Sequence, residues 1–410
     1  FSYRVRECPD VLNPRSDALL FGHLSDGATL AHARARKLKR VVVVDSVVHQ
    51  LHGERIEAYF AHHDVETRLL VLPTTEENKN MDMVLTIAEA IHDLGIDRRL
   101  DPVIAIGGGV CMDIVGFAAS IYRRKTPYVR VPTTLMGYVD ASIGAKTGVN
   151  FAGKKNKLGA YVPPALTLLD RSFLGTLDAR QLSNGAAEIV KMALVKDAEL
   201  FSLLEEHGPS LIEGKFQDRP GDVESNAVGA PSRVLTLAIQ TMLEELAPNL
   251  WEDSLTRCGS TLAVVPPPLT PTTTVPVCHS SRLVDFGHIF SMELEMEALH
   301  SNKLFHGEAV AIDMALCACL ATVRGHIDSS IRDRILAVMR GLRLPTYHEL
   351  LDEKMALFAI EERIKFSQTI KMPLPVGVGT SRIYDDITSD EIVAALAMAK
   401  GLSAEPEFSP

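Results

Sequence analysis

The sequence has few of the features that mark secreted, membrane-spanning or redox-active proteins. It contains one tryptophan and six cysteines in 410 residues, and no two cysteines form a CxxC pair. No segment offers about 18 uninterrupted apolar residues, so we expect no membrane span. The opening segment, Phe1 to Arg6, lacks the apolar stretch of a signal peptide. We therefore expect reduced thiols and a cytoplasmic protein.

Positive charge is also in short supply. The chain has 42 lysines and arginines against 52 acidic residues, which gives a formal net charge of -10. This balance argues against a nucleic-acid partner, and an anionic ligand would need locally placed lysines and arginines. Apolar residues are abundant at 46% of the chain, enough to bury a large core. The length itself predicts two domains.

Strand and helix patterns alternate in the first half of the sequence and helical patterns dominate the second. β-Branched runs predict buried parallel strands at 40–45, 67–73, 102–106 and 128–132, and apolar spacing predicts a helix over 80–94. Long helical patterns follow after about residue 175. We predict an α/β Rossmann-like nucleotide-binding domain over 1–172 and a mainly α-helical domain over 173–410, with the active site in the cleft between them.

A glycine-rich turn follows the third predicted strand. Gly107, Gly108 and Gly109 precede a predicted helix whose first turn carries Asp113. Such a turn lets the backbone approach a pyrophosphate, which the free N–H groups of the helix then bind. A tight strand-to-helix turn without a ligand has the same pattern, and the residues alone leave the two interpretations open.

The segment from Val131 to Ala160 is crowded with hydroxyls, glycines, lysines and amides. Such a segment has little to pack, so a solvated loop is one interpretation. The other is a site for a phosphorylated polyol, because ammonium groups neutralise phosphate while amides and carboxylates bind hydroxyls.

A second group of chemically capable residues lies in the helical half. Glu188 and Lys191 are three residues apart and share one helix face; His288 and His306 follow much later. One carboxylate and two imidazoles can form a catalytic zinc site with an open position. Separately, they could be a surface ion pair and two core histidines, and their spacing cannot bring them together.

The motifs of this chain closely resemble those of the dehydroquinate synthase superfamily, the sugar phosphate cyclases. The likeness runs from about residue 41 to 321, with gaps, and resumes at 374–377. It rests on the joint pattern GGGVxxD, PTTLxxxxDxSxGxKTGVN, KNxxGA, AExxK, FGH and HGExVA. The resemblance implies a dehydroquinate synthase-like fold, bound NAD, one divalent metal (zinc or cobalt) and a homodimer.

The resemblance also implies a role for each matching residue. It assigns the metal to Glu188, His288 and His306. It assigns NAD to ten residues: Asp45, Glu76, Lys79, Gly108, Gly109, Asp113, Thr133, Thr134, Thr176 and Leu177. The resemblance further implies that the hydroxyls and phosphate of the substrate are faced by Asp140, Lys146, Lys155, Asn156 and Lys191.

Within the superfamily, two positions favour the 2-epi-5-epi-valiolone synthase branch: Asp285 before Phe-Gly-His, and Leu246. Met292, where dehydroquinate synthase has a histidine, also points away from that enzyme. This branch implies a carbon–oxygen lyase that converts sedoheptulose 7-phosphate to 2-epi-5-epi-valiolone. The implied steps are transient oxidation by NAD, phosphate elimination, re-reduction and an intramolecular aldol. The alternatives are a 3-dehydroquinate synthase, a desmethyl-4-deoxygadusol synthase or a metal-dependent polyol phosphate dehydrogenase.

Two segments depart from the family pattern. The proline-rich stretch 258–281 stands where the family has a short connection, which predicts a disordered or artefactual insert. The segment 356–371 lacks the basic loop that precedes Leu-Pro-Val-Gly in relatives, and only Lys365 remains as a candidate. These departures motivate a further alternative, a non-catalytic protein that binds NAD on the same fold.

Overall fold

The fold comes from a computed structural model that describes residues 3–218, 229–247, 250, 283–298, 304–367 and 370–403. The predicted insert at 258–281 lies outside these residues, as does most of 248–252.

The first half of the chain forms a six-stranded parallel sheet in the order β1-β8-β5-β4-β2-β3. A separate antiparallel hairpin, β6–β7, stands beside it. The elements are β1 (Arg4–Glu7), α1 (Ala18–Phe21), α2 (Gly27–Arg34), β2 (Lys39–Asp45), α3 (Ser46–His62), β3 (Glu66–Leu72), α4 (Met81–Leu94), β4 (Val103–Gly107), α5 (Gly109–Ile121), β5 (Tyr128–Pro132), β6 (Lys146–Phe151), β7 (Lys154–Tyr161) and β8 (Leu166–Leu169).

Both faces of this sheet are buried, which explains the continuous apolar run in β2. Val42 and Val44 join a core with α3, whereas Val41 and Val43 join a second core with α4 and α5. Alternate residues of a strand point to opposite faces, so a strand covered on both sides favours apolar residues at successive positions. The predicted helix over 80–94 is α4, which Asn80 caps through the backbone N–H groups of Asp82 and Met83.

The order of the strands reverses between β2 and β4. From β2 the chain moves outward to β3, then returns to pair β4 with the other side of β2 and continues to β5. Ligands of open parallel sheets bind at such a reversal, outside the carboxyl ends of the strands. The glycine turn that ends β4 lies at this point.

The second half is mainly helical, so the predicted fold class is confirmed. Its elements are α6 (Ala179–Val195), α7 (Ala198–Glu213), α8 (Ala230–Leu246), α9 (Ser291–Ala298), α10 (His306–Val323), α11 (Ser329–Gly341), α12 (Glu353–Ser367), the hairpin β9 (Met372–Gly377) and β10 (Thr380–Tyr384), and α13 (Ser389–Leu402). The division between domains at 172/173 stays a prediction.

Helix α10 is the centre of the helical half. Its residues from Gly307 to Ala321 are all buried. Among the described residues it alone has the length and apolar composition of a membrane span, yet it is mostly buried inside the fold. Its apolar character is therefore explained by packing against neighbouring helices.

Candidate active site

The glycine turn packs closely against the segment that follows β5. A Cβ on Gly108 would lie 3.1 Å from Thr134 Cγ2, and one on Gly109 would lie 3.3 Å from Ala141 Cβ. Gly108 is the N-cap of α5 and has no side chain that could cap the helix. The first N–H groups of α5 are therefore not capped by a side chain, which fits the anion-binding interpretation of the turn.

Two acidic residues border this turn, and each has partners. Asp45 caps α3 through the N–H groups of Val47 and Val48. Asp113 Oδ2 is 2.5 Å from the Lys79 ammonium, which also donates to Asn156 Oδ1 at 2.7 Å.

Lys79 itself is buried. Burial alone would lower the pKa of Lys79, but the carboxylates of Asp113 and Glu76 outweigh it and raise that pKa. The ammonium is therefore charged and fixes the acid that closes the turn. The structure thus groups Lys79, Asp113 and Asn156 beside the candidate nucleotide site.

The four remaining residues assigned to NAD lie in two places. Thr133 and Thr134 follow β5; Thr133 is buried and the Thr134 hydroxyl accepts the N–H of Gly137 at 3.1 Å. Thr176 and Leu177 lie farther along the chain, where Thr176 Oγ1 donates to the carbonyl of Phe173 and Leu177 packs on the helical core. The second pair therefore borders the helical half.

A buried arginine shapes the loop that carries the first candidate substrate residues. Arg130, on β5, donates to the carbonyl oxygens of Gly144 at 2.7 Å and of Lys146 at 3.0 Å. Asp140 lies just before, in the wide helical turn Gly137–Ala141. Arg130 thereby holds the backbone that presents Asp140 and Lys146.

Three side chains that are far apart in the sequence meet within the helical half of the chain. Glu188, His288 and His306 each offer one ligand atom, and these atoms all lie within 4.8 Å of one another. Glu188 Oε1 is 3.8 Å from His288 Nε2 and 3.7 Å from His306 Nε2. The structure thus brings together the three residues that the resemblance assigns to the metal.

The other ring nitrogen of each histidine has a hydrogen-bond acceptor. His288 Nδ1 is 3.1 Å from the carbonyl oxygen of Phe286, and His306 Nδ1 is 3.0 Å from Glu295 Oε2. With its proton on Nδ1, a neutral ring satisfies this acceptor and presents a lone pair on Nε2 to Glu188. Burial would lower the pKa of His306, but the carboxylates of Glu295 and Glu188 raise it. Burial, aided by the Lys191 charge, lowers the pKa of His288 to about 3, so this ring is neutral at neutral pH.

The residues of this cluster fit a divalent cation. Glu188 is buried, and its Oε1 accepts no hydrogen bond within the described part of the chain. A buried acceptor without a donor is unfavourable, and a cation removes that penalty. Four ligands about 2.1 Å from a zinc ion lie about 3.4 Å apart, close to the spacing found here. The donor set of one carboxylate and two imidazoles suits zinc or cobalt.

A lysine and a second acid lie against the cluster. The Lys191 ammonium is 2.5 Å from Glu188 Oε2 and is almost fully buried. Burial would raise the pKa of Glu188, but Lys191 and the two imidazoles lower it to about 2. Asp140 behaves oppositely, since burial and the nearby Glu188 charge raise its pKa despite the lysines.

Asp285 acts on the same lysine. Burial would lower the pKa of Lys191, but Glu188, Asp140 and Asp285 together raise it. The predicted residues Asp140, Lys191 and Asp285 therefore share one electrostatic environment beside the candidate metal position.

Helix α10 is attached to α6 at the residue that follows His306. The Gly307 N–H donates to Asn184 Oδ1 at 2.6 Å, and a Cβ on Gly307 would lie only 1.9 Å from the Asn184 carbonyl oxygen. Arg180 binds Glu308 through two hydrogen bonds of 2.7 and 2.8 Å. The two helices that carry Glu188 and His306 are thus held in fixed register.

Sequence reasoning missed two residues that contact this cluster. Glu295, on α9, pairs with His306 and with the ammonium of Lys155, which lies 3.4 Å from Glu76 Oε1. Arg363, on α12, donates to the carbonyl oxygen of His288. The sequence offers no local signal for either, because both act through residues distant in the chain.

The departure at 356–371 can now be located. Lys365, the one basic candidate named there, is 59% exposed and pairs with Glu362 on its own helix. Arg363, two residues earlier, is the basic side chain that turns toward the cluster. The cation of this segment that approaches the site is therefore an arginine on a helix.

Two family models match parts of this chain. The model for the 3-dehydroquinate synthase N-terminal region matches residues 69–184, and the C-terminal one matches 279–365. A 2-epi-5-epi-valiolone synthase of Actinomyces sp. is 45% identical over 96% of this chain and 94% of its own length. A second, from Streptomyces hygroscopicus subsp. jinggangensis, is 48% identical over 96% of this chain and 86% of its own. The chain belongs to the dehydroquinate synthase superfamily.

A solved structure of a superfamily member is also similar throughout. It is ValA, a 2-epi-5-epi-valiolone synthase from Streptomyces hygroscopicus subsp. jinggangensis 5008, with NAD+ and Zn2+ bound. The TM-score is 0.81 at 46% identity, and the match covers 98% of this chain and 97% of that one. The predicted family and branch are thereby confirmed.

Proposed function

We propose that this protein is a sugar phosphate cyclase that converts sedoheptulose 7-phosphate to 2-epi-5-epi-valiolone and releases phosphate, which makes it a carbon–oxygen lyase. The observation that carries the proposal is the grouping of Glu188, His288 and His306 beside Lys191 and Asp140. The valiolone synthases at 45% and 48% identity support the choice of substrate.

NAD, when bound at the glycine turn, supplies a reversible hydride acceptor, and a divalent ion at the three-residue cluster supplies a Lewis acid. Gly108, Gly109 and Asp113 form the nucleotide side of the site. Glu188, His288 and His306 form the metal side.

The remaining residues act on the sugar itself. The buried Lys191 ammonium stabilises negative charge that develops on a substrate oxygen, where low polarity strengthens the interaction. Lys146 and Lys155 bind the phosphate, and Asn156 and Asp140 bind hydroxyls. Asp285 sets the branch preference by its charge next to Lys191. Elimination of phosphate requires removal of the C–H proton next to the ketone. The leaving phosphate, with a pKa near 6, can accept that proton itself.

The decisive assay combines the metal-loaded protein, NAD and sedoheptulose 7-phosphate, followed by phosphate determination and NMR of the product. The proposal expects one phosphate and one 2-epi-5-epi-valiolone per sugar, no net NADH, and loss of both products with a chelator. Turnover of the shikimate-pathway heptulosonate instead would identify the protein as a dehydroquinate synthase. Formation of desmethyl-4-deoxygadusol would identify it as a desmethyl-4-deoxygadusol synthase. Accumulating NADH would select a dehydrogenase; no turnover of any heptulose phosphate would select a non-catalytic NAD-binding protein.

The proposed context is a cytoplasmic homodimer with domains at 1–172 and 173–410. Light scattering coupled to gel filtration checks the dimer, since a single 44.8 kDa species would contradict it.

A further inference from the structure

Glu295 is a buried carboxylate outside the metal and substrate assignments. Its side chain is 8% exposed, and it lies on α9, between the two histidines of the cluster in sequence. An ionised carboxylate in such a position requires charged or hydrogen-bonding partners. The structure gives it one partner for each oxygen.

One oxygen serves the cluster. Glu295 Oε2 accepts from His306 Nδ1 at 3.0 Å, while Nε2 of the same ring faces Glu188 Oε1 at 3.7 Å. A carboxylate behind an imidazole fixes the ring and makes its far nitrogen a stronger ligand.

The other oxygen serves the substrate side. Glu295 Oε1 pairs with the ammonium of Lys155, whose side chain is 10% exposed. A phosphate that binds Lys155 must compete with Glu295 for that ammonium, because the second acid nearby, Glu76, is farther away at 3.4 Å.

We propose that Glu295 is a positioning residue that holds His306 for metal binding and restrains Lys155 from binding phosphate. This inference rests on the proposed function, since it uses the metal and phosphate sites named there. One carboxylate thereby couples the two sites: its charge favours the cation and opposes the anion.

The test is Glu295→Gln, which keeps the shape of the side chain and removes its charge. Calorimetric titration of the metal-free protein with Co2+ should show affinity reduced by about 10–100-fold. Titration with inorganic phosphate alone should show binding tightened by about fivefold or more. The matched control is Glu293→Gln on the same helix, whose carboxylate is 3.6 Å from Lys154; it should leave both affinities unchanged.

Opposite shifts for the two ligands separate this role from a structural one, because a loosened fold would weaken both. Lys155→Met supplies the second check: it should keep the Co2+ affinity of the parent and lose phosphate binding. If Glu295→Gln lost affinity for both Co2+ and phosphate, or changed neither affinity, the inference would be overturned and the proposed function would stand. A parent chain that binds no Co2+ would contradict the proposed function as well.

Discussion

The nucleotide side and the metal side of this site are built in different ways. The glycine turn is a continuous stretch, 107–113. Its shape follows from the end of β4, the lack of side chains on the glycines and the start of α5. The metal cluster joins residues 188, 288 and 306 through side chains on separate elements. The first is a property of local sequence, whereas the second depends on how the helices pack. Four predictions test that contrast.

The largest effect should come from removing a ligand on the metal side. His306→Ala should abolish Co2+ binding and lower phosphate release by about a thousandfold or more, because a lost Lewis-acid contact costs several kcal/mol. NAD affinity, measured by fluorescence titration, should stay within about twofold, since the glycine turn is untouched.

His207→Ala is the control for this change, because the half-buried His207 contacts only Glu206 among the ion pairs of the structure's described part. Equal loss of NAD and Co2+ binding in His306→Ala would show that the two sides are not separable.

The next effect concerns the lysine beside the cluster. Lys191→Met should lower turnover about 10²–10³-fold, the cost typical of losing one stabiliser of developing negative charge. The fold should persist in the metal-loaded protein, as far-UV circular dichroism would check. Lys196→Met, near the end of the same helix and 39% exposed, should leave turnover unchanged. Intact turnover in Lys191→Met would remove Lys191 from the mechanism.

Substitution of two glycines should give smaller effects, one on the metal side and one on the nucleotide side. Gly307→Ala sets a Cβ against the backbone oxygen of Asn184 at 1.9 Å, so we expect weaker Co2+ binding and about 1–3 kcal/mol less stability. Gly108→Ala meets only the Thr134 side chain at 3.1 Å, so NAD affinity alone should fall. Titrations of both variants with NAD and with Co2+ measure these affinities. Loss of NAD affinity in Gly307→Ala, or of Co2+ affinity in Gly108→Ala, would contradict the assignment of the two sides.

The smallest effect lies in the acid sensitivity of the nucleotide half. Burial, with the nearby Arg40 charge, lowers the pKa of His23 from 6.5 to about 4. Between these two pKa values His23 is protonated in the unfolded chain and neutral in the folded protein. The stability from neutral His23 is present above pH 6.5 and is lost as pH falls toward 4, at about 1–3 kcal/mol.

His23→Gln should flatten the change in urea midpoint between pH 7 and 5. An unchanged slope in that variant would show that His23 does not carry the acid sensitivity.

Sequence could predict what is local and not what is distant. Continuous valines predicted β2 as a buried strand, and the glycines after β4 predicted the turn, because each depends on neighbouring residues. Glu188, His288 and His306 were grouped by resemblance, since no spacing rule joins 188 to 306. Glu295 was missed because Glu293, Glu295 and Glu297 alternate along α9, and only packing decides which one faces inward.

The most direct test of the account is a crystal structure of the protein with NAD and Zn2+, recorded at the zinc absorption edge. The account predicts one anomalous peak about 2.0–2.2 Å from a Glu188 oxygen and from Nε2 of both His288 and His306, with the nicotinamide ring facing it. A peak elsewhere, or a zinc ion remote from the nicotinamide, would contradict it.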